Sequence, residues 1–402
     1  MQKLVVIGGG FAGMWASLVA AREAALVNAS LAITVVAPDD HLTARPRLYE
    51  PFTPAMRAPL LPLFTPLRIE LQLAHATAID TAAHTVQIRD AQGGSRALSY
   101  DRLVLAAGSV QRALNVSGAS AHALNVDTYA GAAALSSHLD GVLARPDAEG
   151  RLTFVVIGGG FSGIELAAEM RNHLRQKGHP DAAKAARVLL IEREAVVGPE
   201  LGPQPRPHIE AALAACGVET RLNTGVSAIE AGVVVLSSGE RIACDTTVIT
   251  TGLGAHPLAA SLGSEHDEQG RVVVDAALRV HGVEAVFAAG DAARAQVDAG
   301  HVALMSCQHA APMGKHAGYN AARELLGLAT RDYSQPDYVT CLDLGDFGAV
   351  LTSGWERNIT QVGPDTKALK KIINTQWIYP PSGDRAALLV AADIDAPWPP
   401  AV

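Results

Sequence analysis

The sequence predicts an α/β protein organised around two related strand–turn–helix units. An internal repeat is the first observation behind this. Val5-Val6-Ile7-Gly8-Gly9-Gly10-Phe11-Ala12-Gly13 returns as Val155-Val156-Ile157-Gly158-Gly159-Gly160-Phe161-Ser162-Gly163, identical at eight of nine positions at an offset of 150. Solenoid repeats are shorter and more numerous, so this spacing marks two domain-sized units. Composition is the second observation. Hydrophobic residues make up 49% and charged residues 18%, the reverse of a disordered chain. Unbroken Val/Ile/Leu runs fit parallel strands buried on both faces. Length is the third: 402 residues make about two to three domains.

Taken in order, the first unit is a strand over residues 3–7, a glycine turn, a helix over Phe11–Leu26 and a second strand over Leu31–Ala37. The second unit repeats this with a strand over 152–157, a helix over Phe161–Gln176 and a strand over 186–192. Gly8 and Gly158 permit the tight turn. Gly10 and Gly160 let the backbone approach a pyrophosphate, and Gly13 and Gly163 let helix pack on strand. Each turn opens a helix whose free N–H groups and positive dipole end favour phosphate. A lone glycine fingerprint is weak, but here each copy follows a strand and precedes a helix. The second unit ends in Glu192, an acid placed to accept from both ribose hydroxyls and to repel a 2′-phosphate. This favours NADH over NADPH, although Arg193 next to it keeps NADPH open. The first unit has Ala37 at the matching place. Asp39 or Asp40 nearby is either a ribose ligand or a solvated turn residue.

Other classes are excluded on simple grounds. The formal charge is −8, from 32 Lys and Arg against 40 Asp and Glu. Nucleic-acid binders carry a basic face instead. The apolar start of the chain imitates a signal peptide, but Gly8, Gly9, Gly10 and Gly13 interrupt it and a near-copy lies far inside the chain. No stretch approaches the roughly 18–20 apolar residues of a spanning helix. Cys216, Cys244, Cys307 and Cys341 show no CxxC spacing, so neither a structural metal site nor a local redox disulfide is expected.

Four segments together resemble the two-dinucleotide-binding-domain flavoproteins. Two are the fingerprints. The third is Tyr100-Asp101-Arg102-Leu103-Val104-Leu105-Ala106-Ala107-Gly108-Ser109, with a second version at Asp245-Thr246-Thr247-Val248-Ile249-Thr250-Thr251-Gly252. The fourth is Val286-Phe287-Ala288-Ala289-Gly290-Asp291. Within that group the chain is most similar to type II NADH dehydrogenases and to pyridine nucleotide-disulfide oxidoreductases lacking the redox disulfide. The resemblance implies two Rossmann-like domains, one inserted in the other, and a small α+β C-terminal domain. The implied boundaries are 1–113 with 255–328 for FAD, 114–254 for NAD(H) and 329–402 for a C-terminal interface domain. FAD would be held by Gly8, Gly10, Phe11, Ala12, Gly13, Asp39, Arg45, Ala107, Gly108, Gly290 and Asp291, and Gly252, in the second version of the crossing strand, is a further cofactor-binding candidate. NADH would be held by Gly158, Gly160, Gly163 and Glu192.

The resemblance also implies residues close to the chemistry. Glu165 lies in the helix after the second fingerprint, near the nicotinamide–flavin junction, as a positioner rather than a proton donor. Relatives carry a lysine near the flavin after an Arg-Pro pair. Here Arg45-Pro46 is followed by Tyr49 and Glu50, which leaves Arg47 as the candidate partner for Glu165. Gln308, in Leu304–Gly314, would face the flavin edge, whereas Pro312 and Met313 replace two glutamines and weaken a quinone site. Pro312 can also kink a helix. Cys307 and Cys341 raise a minor sulfide:quinone-type reading.

After residue 330, strands are expected over 338–344 and 349–352 around Gly345 and Gly348. The basic segment Lys367-Ala368-Leu369-Lys370-Lys371-Ile372-Ile373 leads into Trp377-Ile378-Tyr379. It reads as a dimer or domain contact ahead of an interfacial membrane helix. The expected protein is a FAD-dependent NADH dehydrogenase passing electrons to a quinone-like acceptor, cytoplasmic or peripheral to the inner membrane face. One alternative is a soluble NAD(P)H-dependent reductase of a redox protein or small molecule. Another is a non-catalytic dinucleotide sensor.

Overall fold

Each unit builds its own parallel sheet, and both sheets end in glycine turns. The structure, a computed structural model, describes residues 1–396. The last stretch of the acidic, Pro-rich tail, 397–402, lies outside the described residues. In the first sheet the order is Val286–Ala288, Arg102–Leu105, Gln2–Ile7, Leu31–Ala37 and Glu70–Asp80, all parallel. Thr85–Asp90 and Ser95–Ser99 extend it as an antiparallel meander. Strand Gln2–Ile7 is central because its neighbours lie on either side, and Leu4 to Ile7 are buried. The chain reverses sheet direction there, so a crevice opens at the carboxyl ends of these strands. Register brings Ile7 opposite Leu105, and Leu105 opposite Ala288. Gly8, the segment 106–108 and Gly290 therefore follow three adjacent strand ends.

The second sheet has the order Leu124–Asn125, Thr246–Ile249, Thr153–Ile157, Arg187–Ile191 and Val218–Arg221, all parallel. The helix after its turn runs over Phe161–Gln176. Both fingerprint helices match the ranges expected from the sequence, as does strand Leu31–Ala37, and the other strand ends differ by at most one residue. Two crossings between the sheets, Ser109–Gln111 and Leu253–Ala255, lie side by side as an antiparallel pair. A third, antiparallel sheet of Val339–Asp343, Ala349–Ser353 and Asn358–Gly363 follows, then helix Pro364–Ile372. Its Leu342, Leu344 and Val350 share one core with Ile164, Ala167 and Met170 of the second fingerprint helix. The C-terminal region is thus packed against the face of the helix that carries Glu165.

Helix Cys307–Leu325 crosses helix Phe11–Leu26 at very close range. An ideal β-carbon on Gly314 would lie 2.3 Å from the Ala12 carbonyl oxygen, and one on Gly318 2.1 Å from that of Ala16. Small residues here let the two backbones touch. Pro312 sits inside this helix, yet the helix runs unbroken from Cys307 to Leu325. Proline lacks the N–H that would bond the carbonyl four residues earlier. That carbonyl, on Gln308, accepts instead from Gln335 Nε2 at 3.1 Å.

Candidate active site

The first glycine turn has the shape a pyrophosphate requires. Gly8 has φ +113°, and an ideal β-carbon there would meet the Ala106 carbonyl oxygen at 2.1 Å. On Gly13 it would meet the Gly8 oxygen at 1.9 Å. On Gly10 it would meet nothing within 4 Å. The two outer glycines are therefore required by packing, while the middle one leaves an open cradle at the helix start, with Phe11 and Ala12 following. Gly108 and Gly290 take φ +74° and +68° at the neighbouring strand ends, and Gly252 takes +31° at the second crossing.

A polar cluster borders this cradle. Ser109 Oγ donates to Asp291 Oδ2 at 2.6 Å, and Arg45 Nη1 donates to Ser109 Oγ at 2.8 Å. Arg45 Nη2 also pairs with Asp127. Burial raises the Asp291 carboxyl above its ordinary value, and Arg45 and Ser109 pull it back. Asp39 is exposed; its carboxylate accepts from the His41 N–H at 3.1 Å and from Arg57 at 3.3 Å. Ser306 Oγ, at the start of helix Cys307–Leu325, is buried without a hydrogen-bond partner. An open glycine cradle, a half-buried Asp–Ser–Arg cluster and an unpartnered buried hydroxyl fit FAD.

The second turn repeats the first. Gly158 has φ +110°, and an ideal β-carbon on Gly163 would lie 1.8 Å from the Gly158 oxygen. Two carboxylates close on this turn. Glu192 Oε2 accepts from the Gly159 N–H at 2.6 Å and Oε1 from the Glu194 N–H at 2.8 Å. Glu200 Oε1 accepts from the Phe161 N–H at 3.0 Å and faces Gly160. Glu192 stands at the strand end where its sequence position puts it. Glu200 is not singled out by sequence reasoning, because it arrives from a loop. Arg193 is exposed and contacts Glu194.

Glu165 is 3% exposed, and its partners come from the C-terminal region. Its Oε1 accepts from the Asp343 N–H at 3.0 Å and lies 3.0 Å from Lys370 Nζ. Burial pushes its carboxyl up to about 8, with Lys370 pulling against the rise. The expectation that Arg47 partners Glu165 is corrected by this geometry. Arg47 is held instead by Glu50, the Ala55 carbonyl and Tyr379 Oη. Lys370 Nζ also donates to the Cys341 carbonyl at 2.7 Å and sits over the rings of Tyr49 and Phe161. One turn away, Lys367 bridges Glu169 and Asp343. Tyr49 Oη donates to Asp343 Oδ2 at 3.2 Å. The basic segment thus turns Lys367 and Lys370 inward as a contact within the chain. A signal for this pairing exists in the sequence. Glu165 and Glu169 are spaced i, i+4 and Lys367 and Lys370 i, i+3, so each pair lies on one helix face.

Gln308 is tied to the same sheet from the other end. Its Oε1 accepts from the Val339 N–H at 3.3 Å. Strand Val339–Asp343 is therefore held at its start by Gln308 and at its end by Glu165. All four cysteines are free thiols. Burial pushes Cys307 and Cys341 up to about 11, which keeps both protonated at neutral pH. Among the described residues, no helix is long and apolar enough to cross a membrane.

Comparison with known proteins bears on this geometry. A NADH dehydrogenase-like protein of Mycobacterium tuberculosis is 42% identical over 396 residues, covering 98% of each chain. A demethylphylloquinone reductase of Synechocystis is 29% identical over 361 residues, covering 87% of this chain and 86% of its own. Among solved structures, NDH2 of Plasmodium falciparum superposes with a TM-score of 0.76 at 13% identity, covering 97% of this chain and 96% of that one. Residues 2–314 match the pyridine nucleotide-disulphide oxidoreductases, and the chain belongs to that family.

Proposed function

We propose that this protein is a FAD-dependent NADH dehydrogenase that delivers electrons to a quinone-like acceptor. One observation carries the reading. Two glycine turns of matching geometry face different polar partners, Asp291 with Arg45 at the first and Glu192 at the second. The first is assigned to FAD, with Gly8, Gly10, Phe11, Ala12, Gly13, Asp39, Arg45, Ala107, Gly108, Gly290 and Asp291 around it, and Gly252 lies at the crossing between the two domains. The second is assigned to NADH, with Gly158, Gly160, Gly163 and Glu192. Residues 1–113 and 255–328 then form the FAD domain, 114–254 the NAD(H) domain and 329–402 the C-terminal domain. The chemistry supplied by FAD held there would be acceptance of a hydride from NADH and release of two electrons to the acceptor.

The chain's own residues bind and orient. Glu192 favours the two hydroxyls of an NADH ribose over a 2′-phosphate. Glu165, anchored by Lys370 and the Asp343 N–H, sets the nicotinamide's place as a positioning residue. Gln308 holds strand Val339–Asp343 on the acceptor side. The demethylphylloquinone reductase relative supports a quinone acceptor. A soluble acceptor is the second reading, favoured by Pro312 and the buried Met313 at positions where the resemblance expects glutamines.

Stopped-flow spectroscopy tests both readings. NADH should bleach the flavin within milliseconds to seconds, and a short-chain quinone should restore its absorbance. Bleaching without reoxidation by quinone would move the assignment to a soluble acceptor. Nucleotide binding without bleaching would leave a dinucleotide sensor. Glu192→Ala should weaken NADH binding by about tenfold or more, because charge-assisted hydrogen bonds contribute about 1.5–3 kcal/mol. Flavin content should stay constant. Equal loss of flavin and NADH binding would overturn the assignment of the two turns.

A further inference from the structure

We propose that Glu200 is a built-in competitor for the pyridine nucleotide, which displaces its carboxylate toward Arg357. This rests on the assignment of the second glycine turn to NADH. A phosphate binds such a turn through the N–H groups at the helix start. One of those groups is already taken: Phe161 N–H donates to Glu200 Oε1 at 3.0 Å. The same oxygen lies 3.0 Å from where a β-carbon on Gly160 would be. A carboxylate thus stands where the pyrophosphate must come, and two anions cannot share that place.

Two glycines flank the turn that carries Glu200. The short turn Pro199–Leu201 lies between Gly198 at φ +56° and Gly202 at φ +75°. Gly198 N–H bonds the Gly159 carbonyl at 2.9 Å, which fixes the loop's root to the glycine turn. The Glu200 side chain is exposed, and the Phe161 N–H is the hydrogen bond its carboxylate would give up.

A receiving group waits beside it. Arg357, from the C-terminal region, is 7% exposed, and its Nη1 is buried without a hydrogen-bond partner. Its Nη2 donates to the Glu200 backbone carbonyl at 3.4 Å. The guanidinium therefore lies alongside the backbone of the residue whose side chain must move. Leaving a buried guanidinium nitrogen unpaired is costly, so a carboxylate arriving there is favoured. Nucleotide binding then exchanges one Glu200 contact for another. Arg357 stacks on Tyr338 at 4.3 Å, and Tyr338 stacks on Trp355 and His309. His309 directly follows Gln308, so the exchange links nucleotide occupancy to the acceptor side.

The arithmetic sets the size of the effect. A site blocked nine-tenths of the time binds about tenfold more weakly than the open site. In the FAD-loaded enzyme, Glu200→Ala should therefore tighten binding of ADP-ribose by about three- to tenfold, read by protein fluorescence. Adenosine, which has no phosphate, should bind unchanged. Arg357→Lys and Arg357→Met should weaken ADP-ribose binding in the native background. In the Glu200→Ala background they should have no effect. Flavin content and melting temperature of each variant show that it is folded. Unchanged or weaker ADP-ribose binding in Glu200→Ala overturns the proposal. So does an Arg357 effect that persists without Glu200, since that would place Arg357 on the nucleotide. Failure of the native enzyme to bind ADP-ribose would instead overturn the assignment of the turn.

Discussion

Glu165 shows how a buried pair escapes a sequence reading. Its fingerprint neighbours place it on the correct helix, but Lys370 lies 205 positions downstream between two other basic residues. Spacing puts Lys367 and Lys370 on one helix face, but Lys371, four residues after Lys367, satisfies the same rule and stays exposed. Tertiary packing alone turns Lys370 inward. Burial raises Glu165 from an ordinary 4.5 to about 8, so the folded chain holds a proton the unfolded chain has released between those values. The sign follows from proton counting: stability from this group is full below pH 4.5 and is lost as pH rises toward 8. Glu165→Gln keeps an acceptor for the Asp343 N–H but cannot titrate. Chemical denaturation of this variant across pH 4.5–8 should show a shallower decline than the native protein. An identical slope would mean that Glu165 is already ionised in the folded state.

The glycines carry the next scale, that of whole elements. Those of the two turns were legible because backbone geometry demands them. Gly13 and Gly163 nearly touch the turn carbonyls, so no side chain fits. Those of helix Cys307–Leu325 were less legible, since Gly314 and Gly318 answer a partner helix some 300 residues away. Their spacing of four puts them on one face, against Ala12 and Ala16 of the first fingerprint helix. Gly318→Ala should force the two backbones apart. Overpacking of this kind costs about 1–3 kcal/mol, and the cost falls on the helix that presents the first turn. Thermal melting should drop by several degrees, with flavin lost more readily on dilution. A variant as stable as the native protein would show that the helices slide past each other freely.

At the scale of the molecule, the C-terminal region acts as a clamp on the second fingerprint helix. The clamp combines an apolar core with polar contacts: Leu342, Leu344 and Val350 against Ile164 and Met170, and Lys367 and Lys370 against Glu169 and Glu165. Arg175 and Asp346 add an exposed pair at its edge, where a salt bridge contributes about 0–1 kcal/mol. The buried pair behaves differently, because removing one partner strands the other. Lys370→Met takes away the cation that pulls Glu165 down, so the carboxyl rises further and keeps its proton to higher pH. At pH 6 the neutral acid tolerates its site and the variant should lose little. Above pH 8 the choice is an unpaired buried charge or a proton held against solvent, and the loss should grow toward ~3–5 kcal/mol. Combining Lys370→Met with Glu165→Gln removes the charge altogether and should recover most of that loss. Urea unfolding at pH 6 and pH 9 for the native protein, the single variant and the double variant measures this directly. A Lys370→Met penalty independent of pH would assign the lysine to packing against Tyr49 and Phe161 instead of to holding Glu165.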